Sequence, residues 1–162
     1  MFCIMPRKRA DIITMKTVGS RLKQLREEVG LGVGNFAYLT GTHYVVYERY
    51  EGGKVEPGYT FLARASNVLG TSLDYLFGRV DETPEIRSER RHQHTEDLWQ
   101  HYCSGFEASA QLPLDYGRKR RVLGALGLLR GQKDILEKLR KGEKVDFRIK
   151  KEVLDALGLW KQ

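Results

Sequence analysis

Between Lys16 and Gly78, about 60 residues hold five short segments with apolar residues at helical spacing, each followed by glycine. The first places Val18, Leu22, Leu25 and Val29 before Gly30, and the second places Phe36, Ala37 and Thr40 before Gly41. In the third, GTHYVVYERYEGGK (41–54), Thr42 or His43 can cap, Tyr47 and Tyr50 share a face, and Gly52-Gly53 ends the run. A fourth follows Pro57 with Leu62, Ala65, Val68 and Leu69 before Gly70, and Ser72 to Phe77 makes a fifth before Gly78. Tyr-Val-Val-Tyr has strand propensity, so a hairpin turning at Gly52-Gly53 is the rival for the third segment. No strand partner follows Lys54, and an isolated two-stranded ribbon is marginal, which favours the helix.

The remainder is also helical in pattern. Residues 79–95 are charged and contain Pro84, the composition of a linker or a solvated helix. Thr95 can cap a helix bearing Leu98, Trp99 and Tyr102, and a loop follows to Pro113. Arg118-Lys119-Arg120-Arg121 leads into Val122, Leu126 and Leu129, a helical spacing weakened by three glycines at about 1 kcal/mol each. Ile135, Leu136 and Leu139 continue that helix or form another, and Asp146 can cap a last one with Ile149, Val153, Leu154 and Leu157. The expected fold class is all-α. The expected division is an arm at 1–15, a five-helix domain at 16–79, a charged linker at 80–95 and a helical C-terminal module at 96–162.

The 162 residues, 41% of them hydrophobic, suffice for one modest core or two small ones. A net charge of +7 favours a polyanionic partner, but it is spread over both halves, with 11 basic and 7 acidic residues in 1–79 and 17 and 14 beyond. Only Cys3 and Cys103 are present, too few for a disulfide framework, which points to a reducing compartment and a cytoplasmic protein. No apolar run approaches the roughly 18 residues of a membrane span, and MFCIMPRKRA reverses the order of a signal peptide. Because MKTVGSRLKQLR from Met15 is an ordinary domain start, residues 1–14 are expected to be an extension, with Arg7, Lys8 and Arg9 as a basic triplet.

Residues 18–78 resemble the Cro and repressor type of helix-turn-helix domain, the xenobiotic-response-element family of phage repressors, bacterial regulators and antitoxins. The resemblance rests on VGSRLKQLREEVGL, Phe36-Ala37, Gly41, YERYEGGKVEP and LGTSLDYLFG, in order and without a gap. It implies a structural ion pair between Arg26 and Glu51, with Tyr47 and Tyr50 as core. It also implies that Tyr44, Val45 and Arg49 face base edges, that His43 and Val46 lie on the same surface with Glu48, and that Val33, Gly34, Lys54 and Arg21 lie near phosphates. Two departures stand out. The Ser/Thr-Gln pair that often opens the second helix is Gly32-Val33 here, and the usual amide side chains of the reading helix are replaced by Tyr and Val. Apolar groups can read the thymine methyl, and arginine can take guanine bidentately for about 1–3 kcal/mol.

Other motifs carry less. His92, His94, His101 and Cys103 have ligand-type side chains, but their spacing fits no structural zinc pattern, so no metal and no cofactor is expected. Arg118 to Arg121 suits a solvated helix start better than a phosphate contact. No glycine-rich phosphate loop, nucleophile elbow or carboxylate pair in a recognisable context is present, so no enzymatic role is expected. The resulting expectation is a sequence-specific double-stranded DNA-binding regulator, a repressor of phage or mobile-element type that dimerises, or assembles further, through its C-terminal helices. The alternatives are an antitoxin whose second half grips a toxin, and an adaptor that holds a protein on the apolar face of the third helix.

Overall fold

The computed structural model describes residues 15–161. Residues 1–14, with Cys3 and the Arg7-Lys8-Arg9 triplet, lie outside the described residues. The described chain is helical: α1 (Met15–Glu28), α2 (Val33–Thr40), α3 (Tyr44–Glu51), α4 (Tyr59–Leu69), α5 (Leu73–Leu76), α6 (Pro84–Leu98), α7 (Tyr116–Ala125), α8 (Asp134–Arg140) and α9 (Phe147–Ala156). A π turn (Trp99–Cys103) continues α6, and 3-10 turns cover Ser104–Phe106 and Leu128–Arg130.

Two apolar cores result. Leu22 and Leu25 of α1, Phe36 and Ala37 of α2, Tyr47 of α3, and Leu62, Ala65, Val68 and Leu69 of α4 bury the faces their spacing predicted. Trp99, Val122, Leu123, Leu126, Leu129, Leu136, Val153 and Leu157 form the second. Leu39 of α2 packs against both, so the two halves are joined by side-chain burial.

The charged stretch expected as a linker is, from Pro84 onward, helix α6. Thr83 caps it by accepting from the Ile86 amide, Pro84 occupies the first turn where its missing N–H costs nothing, and Glu85 suits the dipole. Arg87 fixes its face. The Arg87 guanidinium is buried, donating to the Glu28 carboxylate of α1 and to the Glu82 carbonyl (2.6 Å), and lies 5.1 Å from the Tyr75 ring centre. Thr95, expected to cap a helix, is instead buried inside α6.

Beyond α6, Asp115 caps α7, accepting from the Arg118 amide at 2.8 Å. Val122, Leu126 and Leu129 do not lie on one helix, because Gly127 at φ 76° ends α7 and starts a new turn. Arg118 to Arg121 do lie in the first turns of α7, with Arg121 exposed and the other three half-buried, and each has a partner. Arg118 donates to the Ala156 carbonyl, Lys119 pairs with Glu96, Arg120 donates to the Val68 carbonyl, and Arg121 pairs with Glu152 and Asp155.

Glu82 stitches α5 to α6. Its carboxylate accepts from Thr71 Oγ1 (2.9 Å), the Ser72 amide (3.1 Å) and Arg90. Burial opposes its ionisation, but the hydrogen bonds from Ser72, Arg90 and Thr71 outweigh burial and hold the carboxyl below its ordinary 4.5. A depressed carboxyl stabilises the fold above the unfolded value and loses that contribution as pH falls through the folded one. Glu82→Gln is therefore expected to lower the urea midpoint at pH 7 and leave it little changed at pH 3. Equal losses at both pH values would assign Glu82 a role other than its charge.

Candidate nucleic-acid interface

The site is built on α2, a tight turn and α3. Gly41 closes α2 in the left-handed region, at φ 69°, and its amide and that of Thr42 return to the carbonyls of Tyr38 and Ala37. His43 then caps α3, its Nδ1 accepting from the Val45 amide at 3.3 Å. Without that αL residue the chain could not reverse within three residues.

Alternate faces of α3 do different things. Tyr47 is fully buried, its ring 4.8 Å from Phe36 and 5.9 Å from Phe61, and the ring of half-buried Tyr50 lies tilted at 4.8 Å from Phe61. Burial, with the nearby Glu51 carboxylate, raises the Tyr47 phenol well above its ordinary value, so it remains neutral. Positions 44, 45, 48 and 49 follow helical spacing on the opposite side, and all four residues, Tyr44, Val45, Glu48 and Arg49, are exposed. Tyr44 is 53% exposed, enough to offer its ring as a contact, and the His43 ring lies 4.8 Å from it. Val46, expected on this surface, is half-buried because it falls between the two faces.

The ends of this helix are held from below. Arg26 Nε donates to Glu51 Oε1 at 2.7 Å and Nη2 to Oε2 at 3.3 Å, while Nη1 donates to the Leu31 carbonyl at 2.8 Å. One arginine thus fixes the end of α3 and the loop entering α2. Gly32 caps α2 without a side chain, leaving the amides that open α2 at Val33 and Gly34 without intrahelical partners; Gly34 is exposed and Val33 half-buried. Lys54 is exposed just past α3.

Arg21 is placed differently from the phosphate contact expected of it. Its guanidinium donates to the Tyr75 carbonyl and lies 4.6 Å from the Tyr75 ring centre, bracing α1 against α5. The ligand-type residues of the second half are not gathered either. His92 stacks on Tyr116 at 3.9 Å, Cys103 is buried with its thiol pushed up to about 12 by that burial, and among the described residues no group of three or more His, Cys, Asp or Glu could hold a metal.

Three structural residues escaped the sequence reading. Gly19 lets α1 touch the end of α3, for a Cβ there would meet the Tyr50 carbonyl oxygen at 2.2 Å. Arg64 donates to the Thr40 carbonyl, and Arg130, from the other half of the chain, donates to the Tyr38 carbonyl at 3.2 Å and lies 4.8 Å from the Tyr38 ring centre. A glycine inside a helical pattern was the one available signal for Gly19; nothing local marks Arg130, whose partner is 92 positions away.

A family model described as helix-turn-helix domain matches residues 17–76. These residues form a helix-turn-helix domain. The matched residues take in α1 to α5. Over 58 residues the chain is 40% identical to an SPbeta prophage-derived uncharacterized HTH-type transcriptional regulator, YonR, of Bacillus subtilis (strain 168). That stretch covers 36% of this chain and 54% of the relative, so the likeness spans about half of the relative's length. No solved structure matches. Among the described residues, no helix is long and apolar enough to cross a membrane.

Proposed function

We propose that the protein is a sequence-specific double-stranded DNA-binding transcriptional regulator, acting as a dimeric repressor on an inverted repeat. The observation that carries this reading is the exposed face of α3, Tyr44, Val45 and Arg49, presented by a helix-turn-helix domain whose core holds Tyr47. The name of the prophage-derived relative supports a regulatory role.

In this reading the guanidinium of Arg49 takes a guanine O6 and N7 bidentately, and Tyr44 and Val45 meet thymine methyl groups. The amides of Val33 and Gly34 and the ammonium of Lys54 hold phosphates, setting register without reading sequence. Two copies place their α3 helices about one helical turn apart, and the symmetry of the operator mirrors that of the dimer. Contacts between copies are assigned to the C-terminal helices.

The test is protection of DNA upstream of the protein's own coding sequence. The full chain should protect an inverted repeat with two chains per site, and Arg49→Ala should lose about 1–3 kcal/mol of discrimination at one base pair per half-site. Equal affinity for that repeat and for random duplex at about 150 mM salt would refute the proposal.

A further inference from the structure

Between α2 and the pair α7–α9 lies a cleft of about 770 Å³, open to solvent and separate from the exposed face of α3. Tyr38 and Leu39 form one wall, and Gly124, Leu129 and Ile149 form the other. Gly124 lies at the close approach of α7 to α2: a Cβ there would come within 3.2 Å of Leu39 Cδ2, so the leucine would have to shift slightly to admit one. A cleft of this size, mostly apolar, with a few polar groups and two packed units as walls, is the usual form of a small-molecule site.

The charges around it are not balanced. Arg120, Arg121 and Arg148 line the cleft against Asp146 and Glu152. Arg121 is paired with Glu152 and Asp155, and Asp146 caps α9 by accepting from the Arg148 amide. Arg120 donates only to neutral oxygens, the Val68 carbonyl (2.6 Å) and Thr95 Oγ1 (3.3 Å), and burial pushes its guanidinium below the usual arginine range. Among the described residues neither Arg120 nor the exposed side chain of Arg148 has a carboxylate partner within 4.0 Å. Half-buried Arg120 and exposed Arg148 together leave a positive field along the cleft that an incoming anion would offset, and Arg148 is the one whose side chain is free to meet it.

We propose that this cleft binds a small amphiphile with an apolar tail and a single anionic head, the tail between Leu39 and Ile149 and the head at Arg148. The α2 helix that walls the cleft through Asn35, Tyr38 and Leu39 is the one whose first amides face the proposed DNA, so an occupant alters how α2 meets a phosphate. That consequence rests on the DNA-binding reading; the binding itself does not.

Calorimetry on the full chain without DNA separates the two. Decanoate should bind saturably with one molecule per chain, and roughly tenfold more tightly than decanol, which has the same tail and no charge. Arg148→Gln should bring decanoate down to the affinity of decanol and leave decanol unchanged. Asn35→Trp, on the exposed side of α2, should fill the cleft and abolish both while circular dichroism shows the fold intact. Equal affinity for decanoate and decanol, or unchanged decanoate binding by a folded Asn35→Trp variant, overturns the proposal. So does a cleft that Asn35→Trp shows to be a contact between copies, turning a dimer into a monomer with no ligand heat in either form. With operator DNA present, decanoate should change the affinity of the parent and not that of Arg148→Gln; no change in the parent overturns the regulatory consequence.

Discussion

Gly19→Ala is expected to lower the melting temperature by about 4–8 °C, although alanine is the better helix former. Position 19 lies inside α1, where exchanging glycine for alanine gains about 1 kcal/mol at an open site. Here the added Cβ would sit 2.2 Å from the Tyr50 oxygen and 2.6 Å from the Glu51 oxygen, both backbone atoms at the end of α3. Neither can rotate away. To make room, α1 must withdraw from α3, which opens the packing of Leu22 and Leu25 around Tyr47 and lengthens the Arg26–Glu51 pair. Overpacking of this kind costs about 1–3 kcal/mol and more where the neighbour is rigid, so it exceeds the propensity gain. For a chain of this size each kcal/mol is worth about 2–4 °C. A melting temperature equal to the parent's or higher, read by circular dichroism, would show that α1 and α3 do not approach so closely.

Arg26→Ala is expected to cost about 3–5 kcal/mol in urea denaturation, because it strands a shielded carboxylate. The side chains of Arg26 and Glu51 are only 9% and 11% exposed, so the carboxylate left behind recovers little water. The Leu31 carbonyl loses its donor as well. The large loss would come from breaking the pair; replacing it as a whole costs less. The double variant Arg26→Met with Glu51→Leu should recover most of the stability, since apolar side chains of similar volume remove the stranded charge. The same variant is expected to hold α3 less specifically and to discriminate operators less well, which a DNA-protection assay measures. A loss below about 1 kcal/mol for Arg26→Ala would place the pair among ordinary exposed ion pairs.

Much of the first half was legible because its signals are local. Apolar residues at helical spacing and terminal glycines located α1 to α5, and the family resemblance implied the Arg26–Glu51 pair across 25 positions. Tyr47 was assigned to the core by the resemblance, because Tyr44, three residues earlier, lies only about 60° away around the helix and spacing alone does not divide the two. The resemblance also left Val46 on the open face, where the structure shows it half-buried, because it lies four residues before Tyr50 and shares part of that side of the helix.

The second half was harder for a definable reason. In residues 79–95 charge indicated solvent, yet Arg87 is buried because Glu28, 59 positions earlier, receives it. Thr83-Pro84-Glu85 carried the start signal of α6 and was outweighed by composition. The arginines at 118, 120 and 121 likewise found acceptors 31 to 52 positions away, on α9 and α4.

The sequence by itself determined that the chain is helical and roughly where its first five helices begin and end. Those are consequences of residue spacing, capping chemistry and the conformations glycine allows, all of which act within a few residues. Only the tertiary structure decided that α6 is part of the packed body, that Arg21 braces α5, and that α2 and α7 enclose a cleft with unbalanced positive charge. Each depends on which distant oxygen a guanidinium reaches when the helices pack, and no local pattern along the chain encodes that partner.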